Sequence, residues 1–225
     1  MIFVCRHYYL PSPQDFELVT GINKPLEEKF PEDDDLKPFA NAAGLMGYKN
    51  NEDQIVIAPQ FAMAWPFSIY GIANVLKEGR KEWYVIDRMG RVLFQSYFFD
   101  NGPDYYVAGL TRFVEDNKIG FANKQGEKVI PANFDFAYPF DFSEQITFVC
   151  NGGQEKVVKS SDGELLYTEI IGGKWGAINR KGDIIVPLEF DEFKTDSNDN
   201  FVIFIKDNKP YKLYHNKRGE YKILP

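Results

Sequence analysis

Histidine is the side chain most often used to move a proton near neutral pH, and this sequence has two, His7 and His215, near opposite ends of its 225 residues. A Ser-His-Asp, Cys-His or His-rich metal arrangement would need those ends to meet. The sequence contains no Gly-x-Ser-x-Gly, His-Glu-x-x-His or phosphate loop. Cys150 precedes Asn151-Gly152-Gly153 with no basic neighbour, so it reads as a packed thiol rather than a nucleophile. One pair of cysteines is no disulfide framework, and Cys5 and Cys150 read as free. Asp196-x-Asn198-x-Asn200 has the early spacing of a calcium loop, but Phe201 stands where such a loop needs Gly for its sharp turn. No catalytic residue, metal ligand or cofactor is therefore assigned.

The chemistry left is that of binding. Asp33-Asp34-Asp35 after Glu32 is the densest negative cluster, able to grip a basic partner or a cation, although a solvated loop is the plainer reading. Tyr97-Phe98-Phe99 and Tyr105-Tyr106 flank Asp100-Asn101-Gly102-Pro103-Asp104. Consecutive aromatics in a strand cannot all face one core, so some are exposed or covered by a partner. Tyr and Trp also make interface hot spots and sugar-stacking platforms. Asp33, Asp34, Asp35, Tyr97, Phe99, Tyr105 and Tyr106 are the candidate partner-binding residues. Trp65-Pro66-Phe67 and Tyr138-Pro139-Phe140 sit at matching places in two repeats and are assigned to the core.

Composition narrows the partner. Aromatic residues make up 16% and charged residues 26% of the chain, which excludes a disordered or collagen-like chain. A net charge of -7 argues against nucleic acid and anionic membranes. The opening Met1-Ile2-Phe3-Val4-Cys5 meets Arg6 too soon for a signal-peptide core, and no stretch is long enough for an apolar membrane span. The expected location is cytoplasmic, or periplasmic or cell-envelope if a leader has been removed.

The elements that position these residues come from a repeat. Lys174-Trp175-Gly176 through Val186-Pro187-Leu188-Glu189-Phe190-Asp191 aligns without a gap on Lys118-Ile119-Gly120 through Ile130-Pro131-Ala132-Asn133-Phe134-Asp135. Weaker copies start from Met46 and Trp83, and a truncated fifth from Tyr211. Within a unit, period-2 alternation marks a first strand, a Lys181-Gly182-type turn and a second strand that Pro187 ends. The Gly after the Trp position makes room for the ring or lets the strand bend. After Phe-Asp come third strands at Ile72–Leu76, Leu110–Val114, Ile146–Val149 and Phe201–Ile205, and Glu78-Gly79, Asp116-Asn117, Gly172-Gly173 and Asp207-Asn208 turn into the next unit. The copy with added residues predicts an inserted β-hairpin at about 151–171, around Ser161-Asp162-Gly163. Residues 1–39 match nothing and are expected to cap the first repeat, leaving 40–225 as the repeat domain.

The Lys174-Trp175-Gly176, Gly182, Ile185-Val186-Pro187 and Phe190-Asp191 pattern resembles the bacterial WG (KWG) repeat family, over residues 44–225. The resemblance implies an all-β repeat fold with no shared catalytic residue or cofactor. The expected architecture is all-β, with tandem three-stranded β-meanders in a solenoid-like or curled array; the alternative is propeller-like closure. The expected function is a non-enzymatic protein–protein interaction module with an acidic surface, whose partner is a basic protein; immunity-type inhibition of a toxin or effector is one form of this. The alternative is an envelope-associated carbohydrate-binding protein. An enzyme using paired carboxylates stands third.

Overall fold

The computed structural model describes residues 16–18, 31–32, 35–99, 101–140, 145–159, 165–195, 201–216 and 219–225. Cys5, His7, Asp33, Asp34, the Ser161-Asp162-Gly163 turn and Asp196, Asn198 and Asn200 lie outside them. The described strands are β1 (Phe16–Leu18), β2 (Lys37–Ala40), β3 (Met46–Lys49), β4 (Ile55–Ala64), β5 (Ile72–Lys77), β6 (Trp83–Asp87), β7 (Val92–Ser96), β8 (Phe98–Phe99), β9 (Gly102–Pro103) and β10 (Leu110–Glu115). They continue with β11 (Lys118–Asn123), β12 (Lys128–Phe134), β13 (Phe136–Ala137), β14 (Ile146–Lys159), β15 (Leu165–Asn179), β16 (Ile184–Phe190), β17 (Glu192–Thr195), β18 (Val202–Lys206), β19 (Lys209–Asn216) and β20 (Tyr221–Leu224). The fold is all-β and every ladder is antiparallel. A nine-stranded sheet runs in the order β12-β11-β10-β7-β6-β5-β4-β3-β2, followed by β13-β14-β15-β16 and then by a sheet of β17, β18, β19, β20 and β1; none of these sheets closes on itself.

The turn between first and second strands has a shared cause. Four residues after the Trp position stands Asn50, Asp87, Asn123 or Asn179, whose Oδ1 accepts the backbone N–H groups two and four residues on at 2.9–3.1 Å. The side chain thus replaces a backbone acceptor and fixes the turn. The third residue on takes a left-handed φ: 60° at Asp53, 77° at Gly90, 81° at Gly126 and 85° at Gly182. The amide of Asn50, Asn123 and Asn179 also donates to the side chain four residues on, at Gln54, Glu127 and Asp183. At Asp87 the polarity reverses, and Arg91 Nε donates to Asp87 Oδ2 at 2.7 Å.

The glycine after the Trp position makes room for the backbone of the second strand, and at Gly120 for the Phe113 ring as well. A Cβ on Gly47, Gly120 or Gly176 would lie 2.5–2.6 Å from the carbonyl oxygen of Ile57, Ile130 or Val186. The second strand carries extra residues at this point: Trp175 pairs with Phe190 and Ala177 with Val186, so three residues intervene on β16 against one on β15. Pro187 and its counterparts Pro59 and Pro131 sit in that bulge, where a missing N–H costs no ladder bond. The second strand therefore runs through the proline instead of ending there. In the second unit the glycine position is Tyr84 and its partner is Gln95, and β6 and β7 pair there without the wide bulge. Glycine and proline are lost together because each exists to accommodate the other.

Phe-Asp is the corner where the chain changes sheet. Lys118 Nζ reaches Asp135 Oδ1 at 2.5 Å while Asp135 Oδ2 accepts the Gly152 N–H at 2.7 Å. Lys174, Asp191 and the Asp207 N–H repeat this one unit later at 2.5 and 2.9 Å. Those bends separate β12 from β13 and β16 from β17. The first unit has Ala62 in place of the aspartate, and β4 runs on unbroken within one sheet.

Successive units stack. Gly90 of one turn packs on Ile57 of the preceding unit, Gly126 on Leu93 and Gly182 on Ile130. Four buried clusters follow one another along the chain, centred on Phe61, Phe113, Phe121 and Phe148. Gly172-Gly173 makes no turn: with Gly152-Gly153 it marks the place where β14 and β15, still paired from Gly153↔Gly172 to Lys159↔Leu165, run on past their neighbours. The last unit is out of step with the others. Ile205, which corresponds to Leu76, Val114 and Cys150, pairs with Pro210 rather than Tyr211. The N-terminal segment divides, with β2 beside β3 and β1 beside β19.

Candidate functional site

The register of the third strands shows an aromatic position that sequence alignment hides. Backbone N–H groups of Trp65, Tyr97 and Tyr138 donate to the carbonyls of Asn74, Arg112 and Phe148 at 2.9, 3.1 and 3.0 Å. Those three acceptors are equivalent, each lying two residues before the partner of the Trp position. Three successive units therefore present an aromatic ring at one place on the sheet. The second unit reaches it five residues sooner, two of them for the bulge it lacks and three for its shorter run from there to the aromatic position, and it then inserts the β8–β9 hairpin before rejoining the pattern at Tyr106. Tyr97 is thus a repeated position, and only residues 98–105 are an insertion.

Core and surface divide within each Pro-Phe pair. Phe67 and Phe140 are fully buried, whereas Trp65 is 41% and Tyr138 37% exposed, which corrects their assignment to the core. Each half-exposed ring leans on the Trp position of the next unit: Trp65 on Trp83 with centroids 5.3 Å apart, Tyr138 on Trp175 at 6.1 Å. Phe98 and Phe99 are exposed, Tyr105 is half-buried edge-on to Phe99 at 5.6 Å, and Tyr106 is in the core. Burial pushes the Tyr97 and Tyr138 hydroxyls above their ordinary titration range, against the pull of the Arg112 charge.

A buried ion pair holds this surface in place. Arg112 and Asp104 are 3% and 6% exposed, and the guanidinium grips the carboxylate in a fork, Nε to Oδ2 at 2.9 Å and Nη2 to Oδ1 at 2.7 Å. The Arg112 backbone N–H donates to the same Oδ2 at 3.0 Å, and Nη1 donates to the Ala137 carbonyl at 2.9 Å. The guanidinium also lies 4.2 Å from the Tyr97 ring centre and 5.4 Å from that of Phe99. One cation therefore ties the inserted hairpin, the Tyr97 ring and the strand leading to Tyr138. Neither Arg112 nor Asp104 was among the candidates, although a charge at the core-facing place of a strand, as at Arg112 in Leu110-Thr111-Arg112-Phe113, was a signal for a buried partner.

Of the candidates, Tyr97, Phe99, Tyr105 and Tyr106 come together. Asp35 lies elsewhere, on the first unit, with Oδ2 3.6 Å from Arg88 Nη2. Cys150 is buried, its Sγ 3.9 Å from the Asn151 carbonyl oxygen, and burial raises its thiol above the ordinary range. That is the environment of a packed side chain.

Comparison with curated proteins gave no match. The segments 46–80, 119–154 and 175–209 match the WG containing repeat family, and they begin at Met46, Ile119 and Trp175, the Trp positions of units whose glycine faces a bulge. The chain belongs to the WG containing repeat family and carries three of its repeats.

Proposed function

We propose that the chain is a non-enzymatic binding protein whose half-exposed aromatic row, with the Phe98–Tyr105 hairpin beside it, docks another protein. The carrying observation is the buried Arg112–Asp104 fork, which fixes exposed rings in place before any partner arrives. Preorganised aromatic anchors lose little entropy on binding. Ring orientation favours a protein over an extended glycan laid along a flat row: the neighbouring Phe99 and Tyr105 rings are inclined at 83° and offer no common plane. The net charge of -7 favours a basic partner, including a toxin or effector held by an immunity-type inhibitor. The stacking of each turn on the preceding unit supports a solenoid-like array.

Affinity capture from the native host identifies the partner, and titration with Phe99→Ser and Tyr138→Ser variants tests the surface. Removal of one anchor is expected to weaken binding about 30-fold, with the circular dichroism spectrum unchanged. A specific glycan-array hit with no protein partner, or undiminished partner binding by both variants, overturns the reading.

A further inference from the structure

The hairpin turns line one edge of the array, and the repeat builds the same groove there twice. One groove, of about 390 Å³, lies between the turns of the first and second units; the other, of about 660 Å³, lies between those of the third and fourth. Register makes the linings correspond: Leu36 with Leu110, Asn50 with Asn123, Val56 with Val129 and Arg88 with Arg180. Three of the shared places differ, and Ala108 and Gln145 line the second groove alone. Asp35 becomes Gly109, Asn51 becomes Lys124 and Glu52 becomes Gln125.

Those differences invert the chemistry. In the first groove the chain supplies its own acid, the Asp35 carboxylate beside the Arg88 guanidinium. In the second the acid is replaced by a glycine, and Arg180 Nη2 lies 3.3 Å from where a Cβ on Gly109 would be. Arg180 Nη1 donates to Gln145 Oε1 at 3.0 Å, a neutral acceptor, and among the described residues neither Arg180 nor Lys124 forms an ion pair. The groove thus has two cations, with Lys124 Nζ 4.6 Å from the Tyr70 ring centre, and a larger volume at the point where its twin is lined by an exposed carboxylate.

We infer that the groove between Lys124 and Arg180 binds a carboxylate presented by an acidic peptide segment of a partner, at the place where Asp35 lines the first groove. This site is separate from the aromatic row and does not rest on the reading given for it. The peptide carboxylate takes a charge-assisted contact from Arg180, while Lys124 sets a field favourable to anions in an otherwise acidic protein.

Calorimetric titration of the intact protein with an acetylated, amidated Asp-Asp-Leu peptide at low salt tests this, with succinate titrated in parallel. Saturable peptide binding is expected, weakened roughly tenfold by Arg180→Gln and by Lys124→Gln, and unaffected by Arg88→Gln. Backbone amide NMR shifts confined to residues 109, 124 and 180 locate the site and show that the variants remain folded. Peptide binding with weak succinate binding assigns the carboxylate to a polypeptide; succinate binding as tightly assigns it to a free small acid. No saturable binding of either, or equal losses in Arg88→Gln and Arg180→Gln, overturns the inference.

Discussion

Gly176→Ala adds one methyl group and tests the explanation offered for the family's defining glycine. The new Cβ would meet Val186 O at 2.5 Å, with Leu188 N and Pro187 C each at 3.0 Å, all of them backbone atoms. The first of these is about 1 Å inside an optimal separation. The bulge that must yield is pinned on both sides by the Trp175–Phe190 and Ala177–Val186 pairs. Overpacking of this kind costs about 3 kcal/mol, the upper end of the ordinary range, because no side-chain rotation relieves it. For a chain of this size that corresponds to a melting shift of roughly 6–12 °C. Gly44→Ala is the control: its Cβ would meet nothing within 4 Å, and only the left-handed φ of 81° is penalised, at about 1 kcal/mol. Urea titration followed by tryptophan fluorescence is well placed to read this, because Trp175 adjoins the substitution whereas Trp65 and Trp83 report from the first two units. If Gly176→Ala costs less than about 0.5 kcal/mol, or no more than Gly44→Ala, the backbone-crossing account is wrong.

Arg112→Ala leaves the Asp104 carboxylate buried without its fork and should destabilise the protein by about 3–5 kcal/mol in denaturant titration; a loss under about 1 kcal/mol would mean the pair is not the scaffold of the aromatic surface. Asp135 and Asp191 are held below the usual carboxylate range by their lysine hydrogen bonds and by the N–H groups of Gly152 and Asp207. A depressed folded value stabilises fully above the unfolded carboxylate value near pH 4 and loses that contribution as pH falls through the folded value. The urea midpoint of Asp135→Asn/Asp191→Asn should therefore fall less steeply than that of the wild type between pH 5 and pH 2.5, and parallel curves would show that the corners carry no such linkage.

Elements were legible where the physics is local. The third strands at Ile72, Leu110, Ile146 and Phe201 announce themselves as short, mostly apolar runs bounded by turn residues, and β5, β10, β14 and β18 lie on them. Pro187 misled because its effect depends on what lies across from it: a proline normally ends a ladder, but in a bulge there is no bond to lose. The closest constraint on the glycine beside Trp175 was hidden in the same way, since the atom that forbids a side chain belongs to a strand ten residues further on. The aromatic row was hidden by compensating changes in the second unit, which loses the bulge before Tyr97 and gains β8 and β9 after it. Counting residues from Trp83 cannot align Tyr97 with Trp65 and Tyr138; pairing with the third strand can.

The pairing of β1 with β19 joins Phe16 to Asn216 and Leu18 to Tyr214. Under tension applied at the two ends of the chain, load entering at β1 passes straight across to β19 and leaves through β20, which is paired to β19 along its other edge. The repeats between them lie off the line of force and stay slack until these short strands part. Three strands act as a mechanical fuse for the whole array, so the first rupture in a pulling experiment reports on the clasp and not on any repeat.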